Sequence, residues 1–161
     1  LYDEVLPRLG AGQEEQAHVH AVKLFNLKRY EHAISLVAND TDIIVFNEDG
    51  ITGWPLGYDE GRDGALPWLE EIPAIGSVPC ESESVDPEAS PSVYYGSLFA
   101  KNYGLTVVID IGEVEWCDYE RGQSCPSDGR WQFNTQLVFS SDGSLLARHR
   151  KLHLFLADAN I

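Results

Sequence analysis

Positive charge is scarce in this chain: 11 lysines and arginines stand against 26 aspartates and glutamates in 161 residues, a formal charge of −15. That balance repels phosphate backbones and anionic headgroups, so neither nucleic acid nor a charged membrane surface is an expected partner. Long apolar runs are missing as well. None approaches the roughly 20 residues that span a bilayer. Leu1 to Gly12 lacks the basic start and apolar centre of a signal peptide, so the chain reads as already processed or trimmed. There is no CxxC, no HExxH and no Walker-type glycine loop, which leaves no expected metal or cofactor. A G-x-S-x-G elbow is also absent, and none of the three cysteines sits in an evident strand-to-helix turn beside a base. The chain therefore carries no convincing nucleophile of its own.

What is present describes a folded α/β unit. With 43% hydrophobic and 11% aromatic residues, the chain can bury a sizeable core as a single domain over 1–161. From Glu14 to Ala38 the apolar residues Ala17, Ala21, Leu24, Leu27, Tyr30, Ile34 and Val37 recur at three- and four-residue steps, with Lys23, Lys28, Arg29 and Glu31 between them. This predicts a long amphipathic helix. Ile43 to Phe46 is a continuous β-branched and aromatic run, the pattern of a strand covered on both faces. A second cycle follows: Ser90-Pro91 opens a helix through Tyr103, Gly104 can end it in the left-handed conformation, and Leu105 to Ile111 reads as the next buried strand. Trp131 to Phe139 and Leu145 to Arg150 predict a hairpin closed by Ser140 to Ser144. Gly53 to Pro67 and Pro79 to Ser92 read as loops, and Asp59 to Gly64, without the spaced oxygens of a calcium loop, as a solvated one.

Cys117 and Cys125 flank a short polar loop, where a local disulfide fits, and Cys80 is left over as a thiol for another chain or a ligand. Asn39-Asp40-Thr41 is a glycosylation sequon at a helix-to-strand turn. Cysteines and sequon together point to an oxidising, extracellular or secreted setting.

Two positions stand out for chemistry. Glu48 follows a strand at its carboxyl end, where open α/β sheets place ligands, and partial desolvation there would suit a general base. Asp49 beside it is an equal contender, and either acid also suits a solvated loop. Lys151, in Arg148-His149-Arg150-Lys151, could stabilise an oxyanion or simply end a solvated strand. The pairs His18/His20 and His149/His153 are wrongly spaced for their elements to share a metal.

Three blocks narrow this further: Ile43 to Trp54 (IIVFNEDGITGW), Cys125 to Thr135 (CPSDGRWQFNT) and Phe139 to Lys151 (FSSDGSLLARHRK). In order and separation they resemble the vanin (pantetheinase) and biotinidase branch of the nitrilase superfamily, across most of the chain from Tyr30 onward. The resemblance implies an αββα sandwich, of which this chain would be the N-terminal half to two-thirds. It also implies a Glu-Lys-Cys triad cleaving a linear amide of a vitamin conjugate, with Glu48 as the general base and Lys151 as the lysine. The nucleophilic cysteine would lie beyond Lys151, on a C-terminal part expected as the partner. Leu1 to Val5 resembles the end of the family's first strand. Leu98 or a neighbour stands where relatives often carry a cysteine, and Leu154 to Asp158 lacks a glutamate found near there. Two other functions remain: an altered pocket binding a small ligand or chromophore, and a structural extracellular subunit.

Overall fold

A computed structural model describes residues 11–53, 61–118 and 124–154. Helix α1 (Ala11–Val37) leads through a single 3-10 turn to strand β1 (Ile43–Val45). The short helix α2 (Gly61–Ala65) and helix α3 (Pro91–Tyr103) precede β2 (Thr106–Trp116), β3 (Arg130–Phe139) and β4 (Leu145–Arg150). The sheet order is β1-β2-β3-β4. β1 runs parallel to β2 with Ile44 opposite Val107, while β2 with β3 and β3 with β4 are antiparallel. The hairpin turns at Gly143, whose φ of 87° suits glycine and whose amide donates to the Ser140 carbonyl at 2.7 Å.

Alternation along β2 divides the sheet into two faces. Val107, Ile109 and Ile111 point to the helices and join Leu27, Ile34, Val93 and Phe99 in one core. Contact is close at Gly96 of α3, where a Cβ would come within 2.6 Å of the Phe139 ring. The opposite face carries the row Val45, Val108, Val138 and Ala147. Ile43 and Val45 are more than half exposed there, whereas a strand covered on both faces was expected. The reason is that both helices of the core pack on one face, and among the described residues only Ile44 of β1 turns towards it.

Two buried carboxylates hold the elements together. Glu70 is 1% exposed; its backbone bridges β2 at Gly112 and Val114, and its carboxylate accepts from the amides of Ser92 at 3.1 Å and Val93 at 3.0 Å. It thus satisfies the open first turn of α3, a task the sequence assigns to Ser90, whose side chain makes no capping bond. Its counter-ion is Lys23, 2.8 Å away and 3% exposed. Lys23 belongs to the buried stripe Val19, Lys23, Leu27, Tyr30 and Ile34, not to the polar face expected for it. Glu113, equally buried, accepts from Thr135 at 2.7 Å and pairs with Arg148 and Arg150 of β4. The basic end of β4 is therefore bound to the sheet and not merely solvated. Helix α2 replaces the loop expected around Asp59 to Gly64, anchored by Arg62 to Asp128 at 2.7 Å; Asp59 and Glu60 lie outside the described residues.

Candidate functional site

Glu48 sits three residues past β1, in a turn fixed from two sides. From α1, the Asn26 amide donates to the Ile51 carbonyl at 2.9 Å, and the Tyr30 ring stacks on Phe46 at 3.7 Å. The Tyr30 hydroxyl fills the space beside Gly50, where a Cβ would lie 1.8 Å from it. From β2, Asp110 accepts from the Asp49 amide at 3.1 Å. Asp49 has φ 56°, the only left-handed non-glycine backbone among the described residues, and its carbonyl accepts from Gly53 at 2.7 Å. Aspartate tolerates this conformation better than most residues do.

Lys151 arrives from the far end of the chain. Its amide donates to the Asn134 carbonyl at 2.9 Å, continuing the β3–β4 ladder one step, and this places its ammonium 2.5 Å from Glu48 Oε1. The Asn134 side-chain amide donates to the same oxygen at 2.7 Å. Glu48 remains 47% exposed, so two hydrogen-bond donors orient it where the sequence led us to expect desolvation. Together with Asp110, Gln136, His149, Leu152 and His153, these residues line a cleft of about 330 Å³ on the sheet face away from the helices.

Asp110 is the residue that sequence reasoning passed over. It is 5% exposed, and burial pushes its carboxyl up to about 7, with Asp49 and Glu48 adding repulsion against the pull of the Asp49 amide and Lys151. A single acid inside the apolar run Leu105 to Ile111 was the available signal. Of the two contenders after β1, Glu48 touches Lys151, whereas the backbone of Asp49 is spent on the turn.

The remaining predicted positions fall elsewhere. Cys117 and Cys125 are joined by a disulfide with a Cα separation of 5.8 Å. Cys80 is a free, half-buried thiol outside the cleft; its amide donates to Ser97 Oγ at 3.2 Å, which makes Ser97 its neighbour on α3. Asn39 is exposed in the 3-10 turn after α1. Leu1 to Val5 lies outside the described residues, as does the stretch from Phe155 to Asp158. No group of three or more potential ligands for a metal ion occurs among the described residues, and no described helix is long and apolar enough to cross a membrane.

With that geometry in place, likeness to known proteins becomes informative. The carbon-nitrogen hydrolase family model matches residues 10–160. Pantetheinase of Homo sapiens is 39% identical over 136 residues, which cover 83% of this chain and 25% of that protein. Biotinidase of Takifugu rubripes is 34% identical over 143 residues, covering 83% of this chain and 27% of the relative. The chain thus spans about a quarter of the length of these curated relatives. Among solved structures, a nitrilase-superfamily member of Saccharomyces cerevisiae superposes with a TM-score of 0.57 at 24% identity, over 87% of this chain and 42% of the other. An N-terminal amidase bound to a Gln-Gly peptide gives 0.56 at 20% identity, over 86% and 26%. These likenesses give the fold: a nitrilase-type α/β sandwich, of which the described residues form a helix layer and one sheet.

Proposed function

Because this chain belongs to the carbon-nitrogen hydrolase family, we propose that it supplies Glu48 and Lys151 to a Glu-Lys-Cys triad that hydrolyses a linear amide. The observation that carries this reading is the meeting of the two side chains at 2.5 Å in an open cleft, although 103 positions separate them in sequence. The cysteine is contributed by a C-terminal part of the same protein, which is the partner of this chain.

The chemistry follows from the two charges. Glu48 removes the thiol proton as sulfur bonds to the amide carbon and the carbonyl electrons move onto oxygen. The Lys151 ammonium stabilises that developing oxyanion. Collapse expels the amine, which leaves with the proton held by Glu48, and a thioester remains. Water then attacks the thioester, Glu48 accepts its proton and returns it to the departing sulfur, and the acid is released. Asn134 keeps Oε1 of Glu48 directed into the cleft throughout.

The substrate class is a vitamin conjugate of the pantetheine or biotinyl-lysine kind, supported by the curated relatives named pantetheinase and biotinidase. No cofactor enters this scheme. A secreted, glycosylated protein is in keeping with the Cys117–Cys125 disulfide and the exposed Asn39. The test is hydrolysis of a panel of linear amides by the complete protein, with mass spectrometry of the quenched reaction. Turnover with a thioester adduct on a cysteine outside residues 1–161 is expected; turnover without any cysteine adduct would remove the triad.

A further inference from the structure

We propose that Asp110 is a positioning residue for Glu48, acting through the Asp49 amide. The inference rests on the amidohydrolase reading above and deepens it. Three observations converge. Asp110 lies on the cleft side of β2, in one cross-strand row with Gln136 and His149. Its Oδ1 accepts from the amide of Asp49, the residue directly after Glu48. That residue holds the one left-handed non-glycine conformation among the described residues, so the chain direction just past Glu48 depends on a contact that selects it. Glu48 in turn has to meet Lys151 and Asn134 at hydrogen-bond distance, and a small rotation of the turn would carry its carboxylate off both.

The charged groups around Asp110 come from every element that borders it. Glu48 and Asp49 face it from the turn after β1, Lys151 from the end of β4, and Tyr30 from α1; His149 and His153 line the same cleft. With its carboxyl raised to about 7 by burial, Asp110 changes charge across the neutral range. Its anionic form accepts a charge-assisted bond from Asp49, stronger than the bond to the neutral acid. The hydrogen bond to the Asp49 amide is therefore stronger as pH rises through this range, although the buried charge lowers the stability of the fold as a whole.

Two substitutions separate the roles of the oxygen and the charge. Asp110→Asn keeps an acceptor for the Asp49 amide and removes the titration; Asp110→Ala removes both. In the complete protein, Asp110→Ala should lower kcat by about tenfold with little change in KM, as expected when a partly buried amide loses its acceptor. Asp110→Asn should restore most of kcat at neutral pH and erase an inflection near pH 7 that the unsubstituted protein shows on the rising limb. Hydrogen exchange at the Asp49 amide, read without substrate, should accelerate by about tenfold in the alanine variant and stay slow in the asparagine variant. Unchanged exchange and kcat in Asp110→Ala, or an inflection that persists in Asp110→Asn, overturns the proposal. Should Asp110→Ala not fold, the pH profile and exchange of Asp110→Asn still decide. If the protein hydrolyses no amide, the functional reading fails, and Asp49 exchange alone decides whether Asp110 holds the turn.

Discussion

Replacing Glu70 by alanine is the most demanding test of how the site is held in place. The carboxylate is completely buried and serves α1 through Lys23, α3 through two amides and β2 through its own backbone. In Glu70→Ala the Lys23 ammonium, 3% exposed, is left without its counter-ion. Breaking a buried pair from one side costs about 3–5 kcal/mol. The Ser92 and Val93 amides also lose their acceptor, at up to about 1–3 kcal/mol each where water cannot reach. These terms overlap, so about 4 kcal/mol is the working figure, a large share of the roughly 5–15 kcal/mol that holds a typical domain. The pair Lys23→Met with Glu70→Gln removes both charges and leaves an acceptor for α3, and should recover more than half of the loss. Urea unfolding of the complete protein, followed by tryptophan fluorescence, compares the unsubstituted protein with both variants. A Glu70→Ala loss below about 1 kcal/mol, or a double variant no better than the single one, would refute the reasoning.

Three further outcomes are expected. Gly50→Ala should perturb the turn that carries Glu48, because its Cβ would lie 1.8 Å from the Tyr30 hydroxyl. Tyr30→Phe, which removes a buried hydroxyl with no hydrogen-bond partner among the described residues, should be close to neutral alone and rescue most of the Gly50→Ala defect in thermal unfolding. Asp110 holds its proton more tightly folded than unfolded, so its contribution favours the fold below about pH 4 and is lost as pH rises to about 7. Relative to the unsubstituted protein, Asp110→Asn should therefore gain stability over that window, by at most about 4 kcal/mol in pH-dependent unfolding. Replacing Cys117 and Cys125 by serine opens a loop with a sequence separation of 8 and should cost about 2 kcal/mol, read as a lower urea midpoint.

Much of this architecture was legible because it rests on local patterns. The three-and-four spacing through Leu27, Tyr30 and Ile34 gives α1, and Gly104, at φ 67°, ends α3 where the sequence places the stop. Ser140 to Ser144 closes the hairpin as its composition predicts. Glu48 and Lys151 could be singled out by position, yet their meeting depends on the β3–β4 register, which only pairing partners distant in sequence determine. Lys23 and Glu70 were hidden for the same reason: a charged residue reads as solvated until its partner, 47 positions away, is known. The exposure of Ile43 and Val45 was not legible either, since an apolar run reports what a strand can bury and not what covers it.

The most direct measurement is kcat of the complete protein on a pantetheine-type or biotinyl-lysine amide, with and without Glu48→Gln. Glutamine retains the shape and an acceptor for Lys151 and Asn134 but cannot take the thiol proton. Its kcat should fall by about 10²–10⁴-fold, the usual contribution of a general base, while the protein stays folded. Hydrolysis at an undiminished rate by Glu48→Gln would contradict the assignment of this cleft as the amide-cleaving site.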